Sequence, residues 1–296
     1  MKKWMTMLLA FSMVISMAAC AGKNTAQSTD SGAAADTQEA SKADAQSEDA
    51  DAQTTPDSAA DSTAADTDSA DDSAAADAGS ADVLSYEEYM AADLDTEVTI
   101  QAYVQATQSW WENQATIYAQ DEDGAYFIYN AACSEEDYAL LVPGTKIQVT
   151  GYKSEWSGEI EIMDGSVEIV EGDSFIAEPL DVTGMLGTDE LIDHQNEFVS
   201  FKGMTVEAAG QDENGNDVAF LYNWDGSGTE GDDLYFNVSY NGETYTFTIE
   251  SYLCDSSTEV YAAVKALEIG QTVDMEGFLY WYEGVNPHIT SVTVVE

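Results

Sequence analysis

Two segments of the chain share one pattern of hydrophobic and polar positions. In the first the glycines fall seven apart at Gly144, Gly151 and Gly158, and in the second they return at Gly270, Gly277 and Gly284. Between the first two glycines of each frame, apolar and polar residues alternate: Ile147 and Val149 in one copy, Val273 and Met275 in the other. Such alternation predicts a half-buried β-strand, and glycines bounding it predict turns or bends in a strongly coiled sheet. An aromatic follows each middle glycine (Tyr152, Phe278), and another stands two before the last (Trp156, Tyr282). The pattern is that of a duplicated small β domain.

The surrounding elements repeat in the same order. In the first unit Ser85 and Glu88 form a capping-box pattern for a short helix. A strand over Val98–Val104 follows, with Val98, Ile100 and Val104 on one face. After the loop Gln108–Asn113, a hairpin joins Gln114–Gln120 to Ala125–Asn130 across the turn Asp121–Gly124. A short helix capped by Ser134, the glycine-framed strand and a last strand over Val167–Val170 complete the unit. The second unit reads as a short helix around Thr188–Asp193, a strand over Phe198–Val206 and a hairpin across Asn241–Gly242. A helix capped by Ser256 then presents Val260, Val264 and Leu267 on one face, before the second glycine-framed strand and a strand over Ser291–Val295. Extra sequence, roughly residues 210–233, enters between its first strand and its hairpin.

Three strands, a helix and two strands is the order of an OB-fold, a five-stranded coiled barrel. The runs TIYAQDEDGAYFIYN, PGTKIQVTGY and WSGEIEI resemble OB-fold modules of secreted bacterial proteins, including those that accompany extracellular nucleases; the second unit matches less fully. The resemblance implies a mainly β chain of two tandem OB-fold-like barrels, each with a short helix between strands three and four. It implies a fold and not an activity, since one fold hosts many functions.

The residues ahead of the barrels change the picture by giving the chain an address. Lys2 and Lys3 precede an apolar run from Trp4 to Met17, and small residues then lead to Cys20, the layout of a secretory signal over residues 1–20. Met17-Ala18-Ala19-Cys20 resembles the lipobox of bacterial lipoproteins, which implies lipidation of Cys20 and anchoring on the extracytoplasmic face of the cell membrane. Residues 21–82 contain no aromatic residue and no Val, Ile, Leu or Met, but 15 acidic residues and two Lys, so the expectation there is a disordered acidic tether. Domain 1 then spans residues 83–173, a linker 174–187, and domain 2 residues 188–296.

Charge narrows the chemistry. The chain has no Arg, eight Lys and 57 acidic residues; residues 83–296 carry four Lys against 42 acidic side chains, a net charge of −38. Bidentate Arg–phosphate contacts are absent by composition, and Lys146, Lys153, Lys202 and Lys265 are too scattered for a basic groove, so nucleic acid is expected not to be a partner. OB-folds bind on the face edged by the loops between strands one and two and strands four and five. In unit one those loops carry Trp110, Trp111, Tyr152 and Trp156; in unit two they carry Tyr222, Trp224, Tyr280, Trp281 and Tyr282. Flat aromatics there can stack on sugar rings or bases or anchor a protein, or else cap the barrel ends and pack the two units together. Both readings stay open.

Asp212, Asn214, Asn216 and Asp217 place oxygen ligands nearly at alternate positions in the inserted segment, a candidate calcium loop that lacks the Gly and distal Glu of an EF-hand; a solvated acidic loop is the alternative. Cys133 and Cys254 occupy equivalent places in the two units and are expected as buried free thiols. His194 and His288 have no metal-ligand partner at a recognised spacing, and no nucleophile elbow, zinc signature or phosphate loop is present. An enzyme is therefore not expected, and no cofactor beyond calcium is implied. The sequence supports a non-enzymatic, membrane-anchored binding module for a glycan, cell-wall material or a protein partner. The alternative is an extracellular nucleic-acid-binding or nuclease-accessory protein.

Overall fold

The computed structural model describes residues 82–295; the signal segment, Cys20 and the tether as far as Ala81 lie outside the described residues. The first domain opens with α1 (Tyr86–Ala91), whose capping box is complete: the Ser85 hydroxyl accepts from Glu88 N, and the Glu88 carboxylate accepts from Ser85 N at 2.9 Å. Strands β1 (Glu97–Thr107), β2 (Gln114–Gln120) and β3 (Ala125–Ala132) follow, then α2 (Glu135–Tyr138) behind Ser134, then β4 (Lys146–Trp156) and β5 (Glu159–Ile169). They close into a barrel in the order β1-β2-β3-β5-β4, with β3 and β5 parallel and the other neighbours antiparallel.

The linker expected over residues 174–187 is docked rather than free. Gln105 donates from Nε2 to the Phe175 carbonyl and accepts Ala177 N at 2.9 Å, and β6 (Leu180–Asp181) pairs with the next long strand. The helix expected around Thr188–Asp193 is instead two 3₁₀ turns, Thr183–Met185 and Leu191–His194. Neither has a side-chain cap, and neither is long enough to nucleate an α-helix. The second domain continues with β7 (Phe198–Glu207), the small hairpin of β8 (Gly210–Gln211) with β9 (Asp217–Val218), and β10 (Phe220–Tyr222). After these come β11 (Leu234–Tyr240), β12 (Glu243–Ile249), α3 (Glu259–Lys265), β13 (Thr272–Phe278) and β14 (His288–Val295). A second ring forms as β7-β11-β12-β14-β13, closed by β11 on β7. The chain thus contains two closed five-stranded barrels of OB-fold type.

Three local expectations are corrected. The cap of α3 is Thr258, whose hydroxyl accepts from Tyr261 N, and not Ser256, because a turn from Asp255 to Thr258 delays the first helical turn. The final strand of unit one begins at Glu159 rather than Val167, so Glu159–Ile162 and the Val167 run belong to one strand, β5, and Trp156 ends β4. The final strand of unit two likewise begins at His288 rather than Ser291. The middle glycine of each frame explains how β4 and β13 keep pairing while they coil. A Cβ at Gly151 would lie 2.8 Å from Gly165 Cα, and one at Gly277 would lie 2.2 Å from the His288 carbonyl oxygen. Both positions fall at a register shift, and the absent side chain lets the strands cross closely at a bulge.

Each barrel has its own core. In the first, Ile100, Ile117, Ile128, Ile147, Val149 and Ile162 are fully buried; in the second, Phe201, Phe236, Phe247, Met275 and Ile289 fill the ring, and α3 covers one end with Val260, Tyr261 and Val264. Cys133 and Cys254 are free and buried. A third cluster of Tyr118, Phe127 and Phe278 joins the barrels, with Phe198 and Tyr280 packed against it. Hydrogen bonds reinforce the join. Gln195 donates to the Gly158 carbonyl at 2.8 Å and accepts Ile160 N at 3.0 Å, Asn196 donates to the Ile160 carbonyl at 3.1 Å, and the Gln120 amide oxygen accepts Phe198 N at 2.9 Å.

Candidate ligand groove between the barrels

The join leaves a groove of about 1350 Å³ with walls from both barrels. Its floor is a ladder of rings. Phe127 meets Tyr280 edge-on at 5.2 Å and Tyr280 stacks on His288 at 4.2 Å, while Tyr118 and Phe278, stacked with centroids 4.5 Å apart, belong to the buried cluster behind the lining. Of the lining rings Phe127 stands on β3, Tyr280 in the segment after β13 and His288 on β14, so neither barrel builds the floor alone. Its rim holds exposed rings, Trp111 and Trp156 from the first barrel and Trp224 and Tyr282 from the second, at 68%, 59%, 76% and 49% exposure.

The nine aromatics singled out from the loops therefore divide. Trp111, Trp156, Trp224, Tyr280 and Tyr282 line the groove. Four do not. Trp110 is half-buried and spends its indole N–H on the Cys133 carbonyl at 3.0 Å, and Trp281 packs on the second core, its backbone N–H donating to the Glu159 carboxyl. Tyr222 packs on that core too and donates to the Glu230 carboxylate at 2.7 Å, while Tyr152 is exposed but lies away from the groove. Both readings left open by the sequence are thus realised, by different rings.

The groove's polar groups come from residues that sequence reasoning passed over. The Glu161 side chain lines it at only 4% residue exposure and takes no hydrogen bond from the described residues; burial pushes its carboxyl up to about 7. Glu250, also a lining residue, is pushed up to about 7, by burial first and the nearby Asp233 charge second, against hydrogen bonds from the backbone of Tyr252 and Leu253. His288 is neutral, since burial lowers its imidazole to about 3. Its Nδ1 meets the Tyr118 hydroxyl at 2.6 Å, and that hydroxyl also accepts from Gln108 Nε2, so the Tyr118 proton is free to point at Nδ1. That arrangement assigns the remaining imidazole proton to Nε2. Among the described residues no Lys lines the groove.

The candidate calcium loop is held by its own hydrogen bonds. Asp212 Oδ1 accepts from Asn214 N and Asn216 N, its Oδ2 accepts from Asn216 Nδ2 at 2.9 Å, and Asp217 accepts from Gln211. These oxygens close an Asx-type turn, and among the described residues no group of three or more His, Cys, Asp or Glu is placed to hold a metal. His194 pairs with Glu197 at 3.2 Å, away from the groove.

No family of known proteins matches the sequence, and no curated protein matches it. Solved structures of similar shape include the p204 HINb domain, at 12% identity and a TM-score of 0.32, covering 69% of this chain and all of that one. The Ifi202 HINa domain in complex with double-stranded DNA is similar at 11% identity and a TM-score of 0.30, over 68% of this chain and 96% of that one. A replication protein A heterotrimer bound to single-stranded DNA is similar at 12% identity and a TM-score of 0.27, over 67% and 48%. At these identities the likeness is one of fold. Several of the similar structures are DNA complexes, against the expectation, drawn from charge alone, that nucleic acid is not a partner.

Proposed function

We propose that this protein is a non-enzymatic binding protein that takes nucleobases, in a single strand or as free nucleosides, into the groove between its two barrels. The observation that carries the reading is the ring ladder Phe127–Tyr280–His288 with exposed tryptophans at the rim. Stacking on such rings is worth roughly 1 to 3 kcal/mol per base and needs no positive charge. The groove has no Lys and several carboxyls, so a bound strand turns its bases inward and leaves its phosphates in solvent. A lipid anchor at Cys20 and an acidic tether, both read from the sequence alone, would hold the barrels outside the cell membrane.

Titration of intrinsic tryptophan fluorescence with short unstructured oligonucleotides tests this. Micromolar binding that weakens when Trp111, Trp156 or Trp224 is replaced by Ala supports the reading. Absence of binding by oligonucleotides and nucleosides alike at every salt concentration overturns it.

A further inference from the structure

Glu161 lines the groove, and among the described residues no side chain or main-chain group donates to its carboxyl, which opens toward the groove. It stands on β5, beside Phe127 of β3 in parallel register and opposite Ser154 of β4. Its residue is 96% buried, yet none of the described residues donates to its carboxyl. A buried carboxyl without a donor costs stability unless something supplies one, and here the open side is the groove. Tyr280 lies close enough for the charges of Glu159 and Glu161 to raise its phenol further, and it stacks flat on His288. A stacking face, an unsatisfied acceptor and a neutral imidazole with Nε2–H thus share one groove.

We infer that Glu161 is a specificity-determining residue of this groove, accepting a hydrogen bond from the exocyclic amino group of a base stacked on the rings. The inference rests on the nucleobase reading above and narrows it to amino-bearing bases. Cytosine offers an amino donor beside a ring acceptor, which suits a carboxyl and an imidazole N–H together; uracil and thymine offer a carbonyl where the amino group should be and repel the carboxylate. The titratable groups that share the groove with Glu161 are Glu155 of β4, Tyr129 of β3, and Tyr235, Glu250, Tyr252, Tyr280, Tyr282, Glu283 and His288 of the second barrel. None of them is a cation, so the ligand's own N–H is what stabilises the ionised carboxyl. Base binding therefore releases a proton wherever Glu161 is still protonated in the free protein, and affinity rises with pH through the titration near 7.

The test measures binding of cytidine against uridine, and of short oligo-dC against oligo-dT, to the full chain and to Glu161→Gln and Glu161→Ala, from about pH 5.5 to about pH 8.5 to span the titration of the carboxyl. The wild type is expected to prefer the amino-bearing ligand by about tenfold or more, the worth of a hydrogen bond to a charged group. Glu161→Gln keeps a neutral acceptor, so it should lose the pH dependence and most of the preference while still binding. Glu161→Ala should lose the preference altogether while Trp156 fluorescence still reports stacking. The free nucleosides and the strands distinguish a single-base ligand from a polymer. Equal binding of both members of each pair by the wild type, or a preference that survives in Glu161→Gln, overturns the inference and leaves the nucleobase reading standing. Binding of neither member overturns both.

Discussion

Glu159, at the start of β5, offers the sharpest stability experiment. It is fully buried where the barrels meet; one carboxyl oxygen accepts Trp281 N at 2.9 Å, and the other has no partner. The side-chain oxygen of its neighbour Asn196 is also buried without a donor among the described residues. A proton on Glu159 supplies the donor that this pair of oxygens lacks. Burial, opposed by the neighbouring Asn196 side chain and the hydrogen bond from Trp281 N, pushes the carboxyl from 4.5 up to about 9. Below about pH 4.5 both folded and unfolded chains hold the proton, so its stabilising effect is fully present. Between 4.5 and 9 only the folded chain holds it, and stability falls as pH rises by about 1.4 kcal/mol per unit. At pH 7 the accumulated cost is on the order of 3 kcal/mol. Glu159→Gln keeps the acceptor for Trp281, adds a permanent donor and removes the titration. Urea unfolding of wild type and variant at a series of pH values reads the difference, which cancels the effect of every other acidic group. The variant is expected to be more stable at pH 7, with the gap widening from pH 5 to pH 8 at close to the slope above. A gap that does not change with pH refutes a buried neutral Glu159.

Other expected outcomes follow from the same geometry. Replacing Trp111, Trp156 or Trp224 by Ala should change unfolding free energy by no more than about 0.5 kcal/mol, as for exposed positions generally, whereas Trp110→Ala should cost about 3 kcal/mol in the same denaturant assay. Gly277→Ala sets a methyl group against the His288 carbonyl and should destabilise by about 2 kcal/mol or more, seen as a fall in melting temperature. Because residues 83–296 carry a net −38, any oligonucleotide binding should strengthen as salt is raised from low concentration, the reverse of counterion release; a steep loss of affinity with salt would show that phosphates are being neutralised after all.

The five-strand order of both barrels was legible because alternation at Ile147 and Val149 or Val273 and Met275 has a period that only a strand satisfies, and because the glycine frame repeats. The rim of the groove was half legible: aromatic loop residues could be named, but whether Trp110 packs while Trp111 projects depends on one hydrogen bond to the Cys133 carbonyl, formed across a loop. The floor was not legible. In Glu159-Ile160-Glu161-Ile162 a period of two assigns the glutamates to the outer face of the barrel, which ordinarily means solvent. Here that face is covered by the second barrel, and periodicity says nothing of what covers a face. His288 was read as a lone histidine because Tyr118, its hydrogen-bond partner, lies 170 residues away in sequence.

The polar clasp between the barrels has a kinetic corollary. Gln195, Asn196, Glu159 and Gln120 each bridge the two domains through main-chain groups, so the walls of the cleft belong to a single framework before any guest arrives. A guest then spends none of its interaction free energy on drawing two halves together, and occupancy is governed by how fast rings can slide in and out along the ladder. In rapid mixing the observed rate should climb in proportion to guest concentration, without the plateau that a preceding or following closure step imposes.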